Sequence, residues 1–262
     1  MDLGLAGRGF LVTGGSRGIG REIVALLLAE GALVAALARG EADLDTLAAG
    51  LPAGAGQRLL ALTADVRDAA AVAGAVRRAA EVFGGLAGVV AGAGFGTAGS
   101  VLDTPDSRWR EQFEVKVGGT LHTVLPAIPV LEQSGTGSVV VLNGVTAYAP
   151  EPDMAAVSAL RAAVANLTRT LAVEVAPAGI RVNAINLGMI MTGRQRARYV
   201  ASGSALTFAE WCAREAARRG VLLGRPGEPR EVAPVAALLL SPLSSYVTGT
   251  SIDVSGGSGG RI

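Results

Sequence analysis

Short runs of consecutive apolar residues alternate with longer stretches of helical spacing along the whole chain. Phe10 to Thr13, Leu33 to Leu37, Leu59 to Thr63, a run beginning at Val89-Val90, Ser138 to Leu142, Val182 to Leu187 and Ser251 to Val254 read as strands. Between them, Ile19 to Glu30 places Ile19, Ile23, Leu26 and Leu27 on one helix face. Glu41 to Ala49, Ala69 to Val82, Ser107 to Glu132 and Asp153 to Ala176 read as further helices. The helix from Ser107 is expected to break near Gly118-Gly119 and to be stopped by Pro126 and Pro129, and Pro177 ends the last. Strands of continuous apolar character, separated by helices, predict a parallel sheet covered on both faces. The unbroken alternation predicts one doubly wound α/β domain of about seven strands over residues 1–262. The Arg-rich stretch from Met189 to Pro226 is too long for a turn, so one or two helices over the site are expected there.

Composition narrows the partners. Hydrophobic residues make up 50% and charged residues 17%, enough for a large core and against disorder. The net charge of +1 provides no basic field for a nucleic-acid backbone or an anionic membrane. The uncharged stretch Gly84 to Leu102 is too rich in glycine for a spanning helix. Met1 to Phe10 lacks a basic region followed by an apolar run, so no signal peptide and a cytoplasmic location are expected. One cysteine, Cys212, permits no internal disulfide. No metal-ligand cluster is visible.

The first strand runs into Thr13-Gly14-Gly15-Ser16-Arg17-Gly18-Ile19-Gly20 and then a helix. Glycines there let the backbone approach a ligand, and the helix start offers free N–H groups to a phosphate. Thr-Gly-x-x-x-Gly-Ile-Gly resembles the coenzyme motif of the short-chain dehydrogenase/reductase family. Further similarities cover nearly the whole chain. Asp65-Val66 resembles the family's adenine contacts, and Ala91-Gly92-Ala93-Gly94 stands where the family has Asn-Asn-Ala-Gly. Gly179 to Gly188 resembles its sixth-strand segment, with Leu187 in place of a proline. Thr248-Gly249 and Gly256-Gly257 resemble its C-terminal signature. The resemblance implies cofactor contacts from Gly14, Ser16, Gly18, Ile19, Gly20, Gly188 and Ile190, with Thr192 on the nicotinamide carboxamide. It also implies a homo-oligomer, tetramer or dimer, paired through the two long helices.

The second strand ends in Ala38-Arg39, without the acid that binds the ribose hydroxyls of NAD. Arg39 and Arg17 suit a 2′-phosphate, so NADP(H) is the expected cofactor.

The family's catalytic positions are all altered. The flank Met154 to Ala163 aligns the tyrosine with Val157 and the lysine with Arg161. The serine falls on Gly144 and the helix asparagine on Lys116. Valine and glycine neither donate a proton nor orient a carbonyl, so ordinary ketone reduction is not expected. Arg161 either holds the nicotinamide ribose or clamps a substrate carboxylate. Lys116 is the one lysine among 23 basic residues. A buried amine can release its proton, which makes Lys116 a candidate proton donor, Schiff-base former or electrostatic clamp. Tyr148, four residues past Gly144, is a second candidate if its phenol reaches the vacated space. His122 points away from that face. Arg194, Arg196 and Arg198 either attract an acidic small-molecule substrate or face water.

Three functions fit these residues. One is an NADP(H)-dependent oxidoreductase acting on an activated carbonyl or conjugated alkene through a rebuilt site. Another is a lyase, isomerase or cyclase using Lys116, and the third is an inactive relative that binds cofactor or a partner. The arginine bias points to a GC-rich bacterial source and, by association, to secondary metabolism.

Overall fold

The computed structural model describes residues 1–260; the last two residues of the expected domain lie outside it. Seven parallel strands form one sheet in the order β3-β2-β1-β4-β5-β6-β7. They are β1 Gly9–Thr13, β2 Leu33–Ala38, β3 Leu59–Thr63, β4 Gly88–Ala91, β5 Ser138–Gly144, β6 Arg181–Leu187 and β7 Ser251–Val254. Helices α1 Gly18–Ala29, α2 Glu41–Ala49 and α3 Ala69–Phe83 connect the first half. Helices α4 Asp106–Phe113, α5 Gly119–Val124, α6 Ile128–Gln133 and α7 Ala155–Val175 flank β5. Helices α8 Gly193–Ala201, α9 Phe208–Arg218 and α10 Pro229–Leu240 lie between β6 and β7.

Both sheet faces are covered, which explains the continuous apolar strands. Successive residues of β1 point to opposite layers. Phe10 and Val12 pack with Ile23 and Leu27 of α1 and Val232 and Ala236 of α10. Leu11 packs with Val76 of α3, Val124 of α5 and Val164 of α7. Each such fully buried aliphatic side chain contributes about 1.5–3 kcal/mol.

The long helix predicted from Ser107 is segmented. A π-helical turn, Glu114–Gly118, joins α4 to α5, and a 3₁₀ turn, Leu125–Ala127, joins α5 to α6. The π turn passes into α5 at Gly118-Gly119, with the backbone helical throughout, and Gly119 packs against Val66, where a β-carbon would come within 3.0 Å. Thr120 Oγ1 donates to the Lys116 carbonyl at 2.6 Å, partnering a group at the widened turn.

Hydrophobic periodicity did not predict α10, because Pro234 interrupts it. Its start nevertheless carries a local signal: Glu228 and Glu231 form a reciprocal capping box around Pro229. Residues 189–226 hold two helices. Tyr199 of α8 packs on Phe208 and Trp211 of α9, with ring centroids 5.3 and 5.9 Å away. Arg219, just past α9, donates from Nη1 to Glu151 Oε1 at 2.8 Å and ties this unit to the segment before α7. Among the described residues no helix is long and apolar enough to cross a membrane.

Candidate active site

Strand order reverses between β1 and β4, whose neighbours then run away in opposite directions. A crevice opens there at the carboxyl ends of the strands. Thr13 holds its two rims together. Its hydroxyl donates to Val90 O at 3.3 Å and accepts from the N–H groups of Gly92 and Ala93 at 3.1 and 3.4 Å.

The crevice is a cleft of about 980 Å³. It is lined by Gly14, Ser16, Arg17, Gly18, Ile19, Gly20, Arg39, Asp65, Val66, Ala91, Gly92, Ala93, Gly94, Arg161, Gly188, Ile190 and Thr192, together with Lys116. Residues scattered over most of the sequence thus meet in one space. The backbone approach is so close that side chains would not fit. A β-carbon on Gly14, which has φ +72°, would lie 2.9 Å from Ala93 Cα, and one on Gly20 would strike the Gly14 carbonyl. Helix α1 starts at Arg17 with no side-chain cap, so its first N–H groups remain open to an anion.

At the far end of the cleft stand the cations expected to meet a 2′-phosphate. Arg17 lies 3.6 Å from Asp43 and Arg39 lies 4.0 Å from Asp65, all partly exposed. Arg67 binds Asp65 more closely, with Nη2 to Oδ2 at 2.7 Å, and this hydrogen bond holds the Asp65 carboxyl below its ordinary pKa. A phosphoryl group there would meet two loosely held guanidinium groups. The residues therefore fit the nucleotide with a 2′-phosphate: a glycine cradle, an uncapped helix start and two available arginines.

The opposite end holds two further cations, Arg161 and Lys116. Gly144 ends β5, and the Arg161 guanidinium from α7 lies over it where a side chain would stand. Arg161 Nη1 reaches Thr146 Oγ1 at 3.5 Å, and Asn143 Nδ2 donates to the Arg161 carbonyl at 3.1 Å. Val157, one turn earlier, is fully buried. Lys116 projects from the π-helical turn, its Nζ 3.9 Å from where a β-carbon on Gly94 would lie. Burial, then Arg161 and Arg194, push its pKa well below that of an ordinary lysine. Burial likewise brings Arg161 down to about 10.

Tyr148 does not reach this space. Its hydroxyl donates to Asp253 Oδ2 on β7, and the residue is not among those lining the cleft. The segment after β5 carries the ring away from Gly144, and the carboxylate it meets is also bound by Asn186 at 2.9 Å. His122 Nδ1 lies 2.7 Å from Val66 O, a packing contact behind the cleft. Among the described residues no group of histidine, cysteine and acidic side chains is placed to hold a metal.

Sequence reasoning left Arg194 open between attracting an acidic substrate and facing water. It lines the cleft, and its Nη2 donates to the Gly94 carbonyl at 2.9 Å. The three arginines of α8 separate only in space. Arg196 stacks on Phe208 at 4.3 Å from the ring centroid, and Arg198 approaches Glu215 at 3.9 Å.

Comparison with known proteins agrees with this architecture. Residues 14–258 match the family model described as enoyl-(acyl carrier protein) reductase. Oxidoreductase UcpA of Escherichia coli K12 is 35% identical over 255 residues, covering 97% of this chain and 95% of that protein. A short-chain oxidoreductase of Pseudomonas aeruginosa PAO1 containing an atypical catalytic center, solved with NADPH bound, is 38% identical with a TM-score of 0.90. That alignment covers 96% of this chain and 97% of the other. L-Sorbose reductase of Gluconobacter frateurii, solved with NADPH and L-sorbose, has a TM-score of 0.93 at 27% identity over the full length of both. With the family model, the sequence and the fold all matching, the chain belongs to the short-chain dehydrogenase/reductase family.

Proposed function

We propose that the protein is an NADP(H)-dependent oxidoreductase of the cytoplasm that acts on a small activated carbonyl or conjugated alkene, by association in bacterial secondary metabolism. The observation that carries this reading is the pair of cations, Lys116 and Arg161, at one end of a cleft whose other end suits a 2′-phosphate. Bound NADPH supplies a hydride to an electrophilic carbon. Gly14 to Gly20 would hold the pyrophosphate, Arg17 and Arg39 the 2′-phosphate, and Asp65 and Val66 the adenine. Ala91 to Gly94 would line the riboses, with Gly188, Ile190 and Thr192 against the nicotinamide.

The chain's own chemistry rests on two groups. The Arg161 guanidinium replaces the missing serine side chain as a hydrogen-bond donor to the reacting oxygen, and its fixed charge stabilises negative charge developing there. The Lys116 ammonium gives its proton to that oxygen, or to the carbon of a conjugated alkene, and regains one from water. Its lowered pKa brings proton release toward neutrality. A substrate whose reduced form is a stabilised anion suits this pair, because the site contains no phenol beside the reacting atom.

The test is NADPH oxidation with purified protein against a panel of activated carbonyls and conjugated alkenes. Transfer of deuterium from 4-deuterated NADPH to product supports the reading. Turnover of a substrate without deuterium transfer or NADPH consumption would instead favour a lyase or isomerase, for which an amine of lowered pKa is also suited.

A further inference from the structure

The rim of the site from Gly94 to Gly96 gathers a third cation that the proposed chemistry leaves unused. A β-carbon on Gly96 would lie 3.6 Å from Val157 Cγ2 and 3.7 Å from Arg194 Nη1. Two residues earlier, Gly94 accepts from Arg194 Nη2 through its carbonyl and faces Lys116 Nζ. Arg161 follows Val157 by one helical turn on α7. Lys116 and Arg194 therefore meet at these two glycines, and the Arg161 guanidinium, which lies over Gly144, is near enough for Arg161 and Arg194 both to act on Lys116 and for Arg194 to act on Arg161.

Their charges are uncompensated. Among the described residues, none of the three has a carboxylate within 4.0 Å, whereas ten other arginines, such as Arg218 and Arg225, do. Glu151, the acid that acts on Arg161, is already bound by Arg219 at 2.8 Å. The hydrogen bonds of these three heads are the long one from Arg161 to Thr146 and the one from Arg194 to Gly94. Burial and mutual repulsion lower the pKa of Lys116, and burial is the leading cause at Arg161 and Arg194 as well. Collecting like charges in a poorly solvated cleft costs stability unless an anion joins them. The cofactor phosphates have their own seats at the glycine cradle and at Arg17 and Arg39.

We infer that the substrate carries a carboxylate on the carbon next to the reacting one, seated between Arg161 and Arg194 over Gly94 and Gly96. The free guanidinium edges match the two oxygens of a carboxylate. Lys116 then stands on the reacting oxygen's side of the same molecule. Arg194 is a specificity residue in this arrangement: it reads the charge next to the reacting carbon and takes no part in the proton transfer. The inference rests on the oxidoreductase reading for its orientation but concerns binding, so it can be tested without turnover.

The test is isothermal titration calorimetry of the full-length protein, with and without saturating NADP⁺, using oxamate and its neutral counterpart oxamide. Oxamate is expected to bind at least about tenfold more tightly than oxamide to wild type. Arg194→Met should weaken oxamate by about tenfold or more while leaving oxamide and NADP⁺ within about twofold, and Arg194→Lys should fall between. Equal affinity of wild type for oxamate and oxamide overturns the inference. So does an Arg194→Met variant that loses NADP⁺ as strongly as oxamate, since Arg194 would then be a cofactor clamp. If wild type takes no NADP⁺, the redox reading falls, and the nucleotide-free titration still decides the anion seat. Wild-type discrimination needs no variant, so a misfolded Arg194→Met leaves that decision intact.

Discussion

The Arg161 guanidinium occupies the space that a side chain at Gly144 would need. The two positions are coupled: the larger group at one is possible because the other has no side chain. Gly144 is buried with an extended backbone, φ −168°, so packing and not backbone strain excludes a larger residue. Gly144→Ser is expected to displace Arg161 and to cost about 1–3 kcal/mol. For a chain of this length that lowers Tm by roughly 2–12 °C, read by calorimetry. The double variant Gly144→Ser with Arg161→Lys should recover most of the loss. A single variant as stable as wild type would show that Arg161 relocates freely.

Lys116→Met should reduce turnover by about 10²- to 10⁴-fold while NADP(H) binding persists. The side chain is similar in length and removes only the ammonium. Simple ketones should be poor substrates for wild type as well, because Val157 supplies no acid. Wild-type turnover in Lys116→Met, measured beside unchanged nucleotide affinity, would make Lys116 a bystander.

The pH profile follows from the same amine. Lys116 donates only when charged, and its pKa lies well below 10.5. Reduction should therefore fall as pH rises through that lowered value, below the range of an ordinary lysine. Arg161 and Arg194 are the charged groups acting on it, and both are cationic. Arg194→Met should move the fall to higher pH. The stability sign agrees: the unfolded chain holds this proton more tightly, so stability rises with pH from the folded pKa toward 10.5. Rate profiles of wild type and Arg194→Met, together with Tm against pH, check both statements.

Replacing Arg17 and Arg39 by alanine should weaken NADP(H) selectively, since NAD(H) lacks the phosphate they face. Charge-assisted hydrogen bonds of about 1.5–3 kcal/mol each give roughly tenfold or more per arginine. Both side chains are more than half exposed, at 76% and 59%, so wild-type NADP(H) affinity should also decline with salt. Fluorescence titration at two ionic strengths measures both effects, and equal affinity of wild type for the two nucleotides would count against the assignment.

Sedimentation should show a dimer or tetramer at micromolar concentration. Phe113 on α4 and Val173 on α7 are apolar and exposed at 52% and 76%, on the two helix segments expected to pair. A monomer would refute this.

What the sequence by itself determined is local. Strand and helix order follow from periodicity, and the glycine cradle follows from a backbone that admits no β-carbon at Gly14 or Gly20. Lys116 stood out as the lone lysine at a position matched to the family. The tertiary structure alone decided where the long side chains end. Arg194, Arg196 and Arg198 share one helix and one chemistry, yet one meets Gly94, one Phe208 and one Glu215. Tyr148 lies four residues from Gly144 but bonds to Asp253, 105 residues away. Spacing along the chain fixes a side chain's starting point. Its destination depends on partners that only long-range packing brings near, and for an arginine or tyrosine that reach spans several ångströms.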